Sequence, residues 1–255
     1  MTGPNILLLD IETSPHLVYS FNTYKTVILP DHVKEPSRAL CWAAKWDGDP
    51  KILFKSEYHH DYISMLTGIR DLLDECDVAV AYNGDKFDLP RLRQQFRLND
   101  LDYPSPFIQV DLYKVLRKHE TWPYHKLGYV TEQLGMTGKV AHEGFMLWRK
   151  VLGDFGEDEQ RKAWAKMRRY CKGDVVTLQD FLDEYRHLVT NIPAAGLFVE
   201  ELPTVEVPAC PACESTNAQR RGYERTKVRR YARYQCQDCG RWYRETRSEM
   251  GVSAS

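Results

Sequence analysis

Four apolar residues in succession, Ile6, Leu7, Leu8 and Leu9, run straight into Asp10-Ile11-Glu12-Thr13. A short apolar run of this kind reads as a strand buried on both faces, inside a sheet that helices cover on its two sides. Side chains at i and i+2 leave a strand on the same side. The carboxylates of Asp10 and Glu12 therefore project from one spot at the end of a rigid element. Two acids so placed repel each other and lose hydration unless a cation lies between them. A strand that simply surfaces into a polar loop would also carry acids here, so the reading turns on what arrives downstream.

Downstream the chain alternates strand and helix signals. His16 to Tyr24 and Ala39 to Trp46 are rich in aromatic and β-favouring residues; Asp47-Gly48-Asp49-Pro50 is a turn, and Lys51 to Lys55 can return as a strand. Ile63, Leu66, Ile69, Leu72, Leu73 and Cys76 keep helical spacing, and Val78 to Tyr82 is a short apolar strand. Phe107 to Val110 reads as a further strand. Leu112 to His119, Lys126 to Leu134, Phe145 to Leu152 and Glu157 to Tyr185 read as helices, with a kink or break open at Gly173. This order predicts an α/β domain with a mixed sheet flanked by helices over residues 1–190. A proline-bearing linker follows at 191–206, then a small domain at 207–247 and a disordered tail at 248–255.

Two further clusters carry polar chemistry. In Tyr82-Asn83-Gly84-Asp85-Lys86-Phe87-Asp88-Leu89-Pro90, Asn83-Gly84 suits a turn and Asp88 precedes a proline-initiated helix, where it could equally be an ordinary cap. In Tyr170-Cys171-Lys172-Gly173-Asp174, the i, i+4 spacing puts Tyr170 and Asp174 on one helix face. Taken alone, that pair could be an exposed acid and a half-buried ring.

Taken together, D-I-E-T, N-G-D-K-F-D and Y-C-K-G-D resemble the three motifs of DEDD 3′–5′ exonucleases, which have a ribonuclease H-like fold. Tyr170 four residues before Asp174, with Arg169 where the histidine subfamily would carry its base, is similar to the tyrosine (DEDDy) subfamily. V-D-L-Y-K and K-L-G-Y-V-T-E-Q-L-G-M-x-x-K also look like the exonuclease domains of family B DNA polymerases. The resemblance spans about residues 5–190; no polymerase module follows within the sequence. It implies catalytic residues Asp10, Glu12, Asp88, Tyr170 and Asp174, and two magnesium or manganese ions. Hard oxygen ligands suit these ions. The resemblance further implies that Asp10 bridges both ions, that Glu12 and Asp174 hold the nucleophile-side ion, and that Asp88 serves the other directly or through water. Tyr170, with an ordinary pKa near 10, would orient the attacking water rather than act as a base. Thr13, Asn83 and Phe87 are candidate nucleic-acid contacts, with support of the acids from behind, or core packing, as the alternative.

The C-terminal segment is a separate matter. Cys210-x-x-Cys213 and Cys236-x-x-Cys239 have the spacing of a four-cysteine structural zinc site, whereas a redox motif would need only one pair. The segment resembles a zinc ribbon. From Val207 on, ten basic residues face five acidic ones, +5, which leaves −6 for residues 1–206 out of the net −1. Basic residues between the cysteine pairs alternate with Tyr223, Tyr231 and Tyr234, so Arg229, Arg230 and Arg233 are candidate nucleic-acid contacts. A solvated hairpin, or a surface for docking a replication or recombination protein, fits the same residues.

No apolar run approaches the roughly 20 residues that span a bilayer, and no secretory signal is recognisable. Seven cysteines, an odd number clustered in part as C-x-x-C pairs, argue against a secreted disulfide framework and for a reducing, cytoplasmic setting. The expectation is a metal-dependent 3′–5′ exonuclease acting on single-stranded DNA 3′ ends. RNA is the alternative substrate, and a non-catalytic zinc-ribbon DNA-binding protein is the alternative class. No membrane partner is expected.

Overall fold

The computed structural model describes residues 3–136, 143–193, 207–213 and 215–252. The chain divides into two units, Asn5–Leu188 and the segment from Val189 onward.

The first unit is built around β1 (Ile6–Thr13). After a small β2–β3 pair (Leu17–Val18 and Val33–Glu35), β4 (Ala39–Trp46) and β5 (Leu53–Ser56) add antiparallel neighbours on one side of β1. Helix α1 (Tyr62–Glu75) leads to β6 (Val78–Ala81), and α2 (Asp88–Leu98) to β7 (Ile108–Asp111). These two strands add in parallel on the other side, giving a mixed sheet in the order β5-β4-β1-β6-β7. Helices α3 (Leu112–His119), α4 (Leu127–Gln133), α5 (Phe145–Val151) and α6 (Glu157–Tyr185) complete the unit.

Alternation along β1 assigns its two faces. Leu7, Leu9 and Ile11 enter a core with Met65, Leu66, Ile69 and Leu73 of α1 and Leu89, Leu92 and Phe96 of α2. Each such side chain contributes on the order of 1.5–3 kcal/mol when removed from water. By the same alternation Leu8, Asp10 and Glu12 face the opposite layer, where α6 packs: Cys171 Sγ lies 3.8 Å from the Asp10 carbonyl oxygen. The acids are thus borne by a strand whose other face is fixed by an apolar core.

Helix α6 runs unbroken through Gly173 for 29 residues. A glycine costs an isolated helix roughly 1 kcal/mol, but here Tyr170, Cys171, Asp174, Val175, Thr177 and Leu178 are all buried around it, and packing decides. The aromatic stretch His16–Tyr24 differs from its expected strand character. Only Leu17–Val18 pair with a neighbour, and Tyr19, Phe21 and Tyr24 are exposed. β-Propensity does not make a strand where no apolar face is buried.

The second unit has an antiparallel sheet of β8 (Ala218–Arg225), β9 (Arg229–Cys236), β10 (Trp242–Arg244) and β11 (Met250–Gly251). β8 lines one edge of β9; β10 and β11 take successive stretches of the other. Between Arg220 and Tyr223 two residues of β8, Arg221 and Gly222, oppose the single Arg233 of β9, and Gly222 at φ +71° sits in this bulge, a left-handed position that suits glycine. The expected disordered tail is corrected as far as residue 252: Met250 and Gly251 pair with Arg230 and Arg229, and Val252 N–H donates to the Val228 carbonyl. The linker is described only over 191–193; its remaining residues and 253–255 lie outside the described residues.

Candidate functional site

Asp10 and Glu12 come from β1, and Tyr170 and Asp174 from the buried face of α6. One carboxylate oxygen each from Asp10, Glu12 and Asp174 falls within 4.8 Å of the others. Glu12 and Asp174 are buried, and Asp10 is half-exposed. Three carboxylates this close, two of them out of water, fit a hard divalent cation and are otherwise costly. Tyr170 stands beside them. Burial, then the charges of Asp174, Glu12 and Asp10, push its phenol far above the ordinary range, so it is a neutral hydroxyl at any physiological pH.

Asp88 does not join these three. It is buried at the start of α2, and its Oδ1 accepts from Ile11 N–H at 3.1 Å, between the two β1 acids. Burial raises its pKa to about 7, against the lowering effect of backbone N–H groups of Ile11 and Asp88 itself. The turn ahead of it is tightly built. Asn83 adopts φ +63°, and a Cβ on Gly84 would stand 2.4 Å from Ala81 Cβ, so no side chain fits there.

Asp111, which sequence reasoning passed over as a site residue, holds this turn. Its Oδ1 accepts from the N–H groups of Asn83 at 2.8 Å and Tyr113 at 3.1 Å. Burial raises its pKa. It lies within the V-D-L-Y-K segment, where its position at the end of an apolar strand was the available signal.

Beside the carboxylates opens a cleft of about 540 Å³ lined by Asp10, Asp174, Tyr82, Asn83, Tyr113, His125, Lys126, Leu127, Gly128 and Tyr129. Its wall is held by Tyr82, whose hydroxyl donates to the His125 carbonyl at 2.8 Å and whose ring meets Tyr113 edge-on at 5.7 Å. Of the expected substrate contacts, Asn83 lines this cleft. Thr13 lines a separate recess with Ser14, Pro15, Gly144, Phe145 and Trp148, and Phe87 is exposed, lining neither. The cleft's Lys126 and three tyrosines were missed as individuals, because only the fold brings them to Asp10.

In the second unit the four cysteine sulfurs converge. Sγ–Sγ distances are 3.7 Å for Cys210–Cys239, 3.6 Å for Cys213–Cys236 and 3.4 Å for Cys213–Cys239. A tetrahedron with zinc–sulfur bonds of about 2.3 Å has edges of about 3.8 Å, so the cluster fits zinc. The arginines read as nucleic-acid contacts separate here. Arg230 is a correction: it is fully buried, stacked at 4.2 Å over Tyr223 and paired with Glu249 at 3.9 Å. Arg233 lies over Trp242 at 5.0 Å and donates to the Arg221 carbonyl, half-buried. Arg229 is exposed.

A mixed five-stranded sheet with an acidic cluster on its central strand and a facing helix defines a ribonuclease H-like nuclease fold. The chain belongs to the RNase H superfamily, whose sequence model matches residues 43–185, more than half its length. The match begins beyond Asp10 and Glu12, so these two acids rest on the strand geometry. Among solved structures the chain is similar to the family B DNA polymerase of the hyperthermophilic archaeon Pyrobaculum calidifontis, with TM-score 0.52 and 17% identity over 71% of this chain. It spans only 24% of that polymerase, and at this identity the likeness speaks for the fold alone. No match is found among curated proteins. The cysteine cluster fits a zinc ribbon, and among the described residues no helix is long and apolar enough to cross a membrane.

Proposed function

We infer that this protein is a metal-dependent 3′–5′ exonuclease acting on single-stranded DNA, with a zinc ribbon as a second nucleic-acid contact. The observation that carries this reading is the meeting of Asp10, Glu12 and Asp174 within 4.8 Å, beside a protonated Tyr170 and an open cleft. Divalent ions held there by Asp10, Glu12 and Asp174, with Asp88 nearby, would supply activation of a water and stabilisation of the leaving oxygen. The chain's own residues do the rest. Tyr170 donates or accepts one hydrogen bond to fix the attacking water and does not remove its proton. Tyr82, Tyr113 and Tyr129 offer ring faces and edges to a terminal base, and Lys126 a cation to its phosphate. A cleft walled by rings suits an unpaired base that can be splayed from its strand.

The test is digestion of end-labelled single- and double-stranded DNA and RNA, with and without magnesium. We expect stepwise shortening of single-stranded DNA from its 3′ end only with the ion. Asp10→Ala should reduce it to background while the α/β unit melts no lower, since a repelling charge has been removed. Activity in Asp10→Ala, or none in the unaltered protein, would refute the assignment. Faster digestion of RNA would change the substrate class but keep the site.

A further inference from the structure

The three clustered carboxylates and the phenol of the proposed reaction come from two elements, β1 and α6. One side chain outside both touches each of them. Trp148 of α5 donates its indole Nε1–H to the carbonyl oxygen of Thr13 at 3.0 Å, across 135 residues of sequence. Its ring meets the ring of Tyr170 edge-on, with centroids 6.3 Å apart and planes at 75°.

The place where it grips β1 matters. The ladder with β4 keeps regular register from Leu7 to Glu12 and slips between Glu12 and Thr13, where Thr13 comes to oppose Ala39. Beyond this slip Ser14 N–H donates to the Arg38 carbonyl at 2.9 Å and Arg38 N–H to Ser14 Oγ at 3.0 Å, and the indole bonds the Thr13 carbonyl between them and Glu12. The strand end is thus held from two sides, by the residues ahead of β4 and, from the α6 side, by the indole.

Trp148 is itself anchored to α6. Leu147 and Val151, on either side of it, are buried. Gln160 of α6 donates from Nε2 to the Val151 carbonyl at 2.9 Å, and Lys150 pairs with Glu159 of α6 at 3.6 Å. The indole is thus a part of the α6 layer that reaches over to β1.

Resting on the exonuclease reading, we propose that Trp148 is a positioning residue. It holds the Glu12–Thr13 end of β1 and the ring of Tyr170 in one fixed relation, so that the phenol hydroxyl and the Glu12 carboxylate address the same reacting centre. A misplacement of about 1 Å in such a site costs on the order of 100-fold in rate. Outer groups that orient metal ligands are worth about 10- to 100-fold in affinity.

The test compares full-length protein carrying tryptophan, phenylalanine or the isosteric benzothienylalanine at position 148, the last keeping the ring's shape but lacking the N–H. Each is paired with Tyr170 and with Tyr170→Phe. Turnover and KM on a single-stranded oligonucleotide, and manganese affinity by calorimetry, are read for every form.

We expect Trp148→Phe to lower kcat roughly 10- to 100-fold with KM little changed. In the Tyr170→Phe background it should cost less than in the unaltered protein, because the part that acts through the phenol hydroxyl is already lost and only the part that acts through Glu12 remains. The benzothienyl form should keep the fold and bind manganese several-fold more weakly, even if Trp148→Phe fails to fold. Unchanged kcat in both position-148 variants, losses that multiply with Tyr170→Phe, or unaltered manganese affinity in the benzothienyl form would each overturn the proposal. An unaltered protein that cuts nothing would refute the exonuclease reading instead, and the manganese titration would still decide whether Trp148 positions the acids.

Discussion

The acidic cluster and the cysteine cluster are both sets of would-be metal ligands, yet they stand in opposite relation to their surroundings. Asp10, Glu12 and Asp174 are presented by a strand and a helix that an apolar core has already fixed: Leu7, Leu9 and Ile11 on one face of β1, Trp164, Met167 and Phe181 along α6. The fold comes first there, and the ion would be a guest. Around Cys210, Cys213, Cys236 and Cys239 the buried apolar residues among those described are few, chiefly Tyr223, Tyr231, Ala232 and Tyr234. A unit of that size lacks the apolar burial to fold alone, and the ion would be a part of its core. Similar ligand geometry therefore says little about what metal does for stability; the neighbouring side chains decide it.

The sharpest way to break this comparison is to take the metal away. Cys236→Ser, or a zinc chelator, should unfold the ribbon, since structural zinc contributes on the order of 10 kcal/mol in small domains. The α/β unit should keep its melting transition when magnesium is removed. Circular dichroism melts with zinc analysis check both halves, and a ribbon that stays folded without zinc would erase the distinction.

Smaller, and confined to the ribbon, is the effect of Glu249→Gln. Glu249 pairs with Arg220 at 2.9 Å and with the fully buried Arg230. Removing one partner of a buried pair costs about 3–5 kcal/mol, so the zinc-bound ribbon should unfold at markedly lower denaturant. Unchanged denaturation would show that the stacking of Arg230 on Tyr223 suffices by itself.

On the α/β side, Asp88 sharpens the contrast by pH. Its folded-state pKa, raised to about 7, lies above the unfolded value near 3.9. The folded form therefore binds the extra proton between these values, and stability falls as pH rises from about 4 to 7. In zinc-loaded, magnesium-free protein, the melting temperature of this unit should drop across that window. Asp88→Asn should flatten the dependence, as differential scanning calorimetry would reveal.

The smallest effect expected is that of Arg229→Glu. The residue is exposed, so stability should hardly change. If the ribbon grips single strands, the salt dependence of binding should lose about 0.7 in log–log slope per phosphate contact removed, measured by fluorescence anisotropy. An unchanged slope would direct attention to protein partners.

Much of the architecture was legible because it rests on short-range regularities. The apolar run into Asp10, the i, i+2 carboxylates and the i, i+4 pair on α6 follow from strand and helix periods alone, and the structure brings Asp10, Glu12 and Asp174 together. What escaped depends on partners far along the chain. Arg230 looks like any surface arginine until Tyr223 stacks on it and Glu249, nineteen residues later, closes over it. Glu249 itself sits in what reads as a polar tail, and only β9 gives it a strand to follow. His16–Tyr24 has strand composition without an apolar surface to rest on. Gly173 reads as a weak point, and buried neighbours override it. Asp111 lies in V-D-L-Y-K and Trp148 in no quoted motif, but the partner of each is visible only once the Asn83 turn and the end of β1 arrive beside them.

The continuity of α6 through Gly173 has one more consequence. Tyr170, Cys171 and Asp174 stand on a single unbroken helix, so their backbone positions are fixed relative to one another. An α-helix turns by about 100° and advances by about 1.5 Å per residue. A slip of one residue would swing all three side chains off β1 together, leaving Asp10 and Glu12 behind. A helix hinged at the glycine could instead release Asp174 while keeping Tyr170. As built, the unbroken helix carries Tyr170 and Asp174 to β1 as one piece.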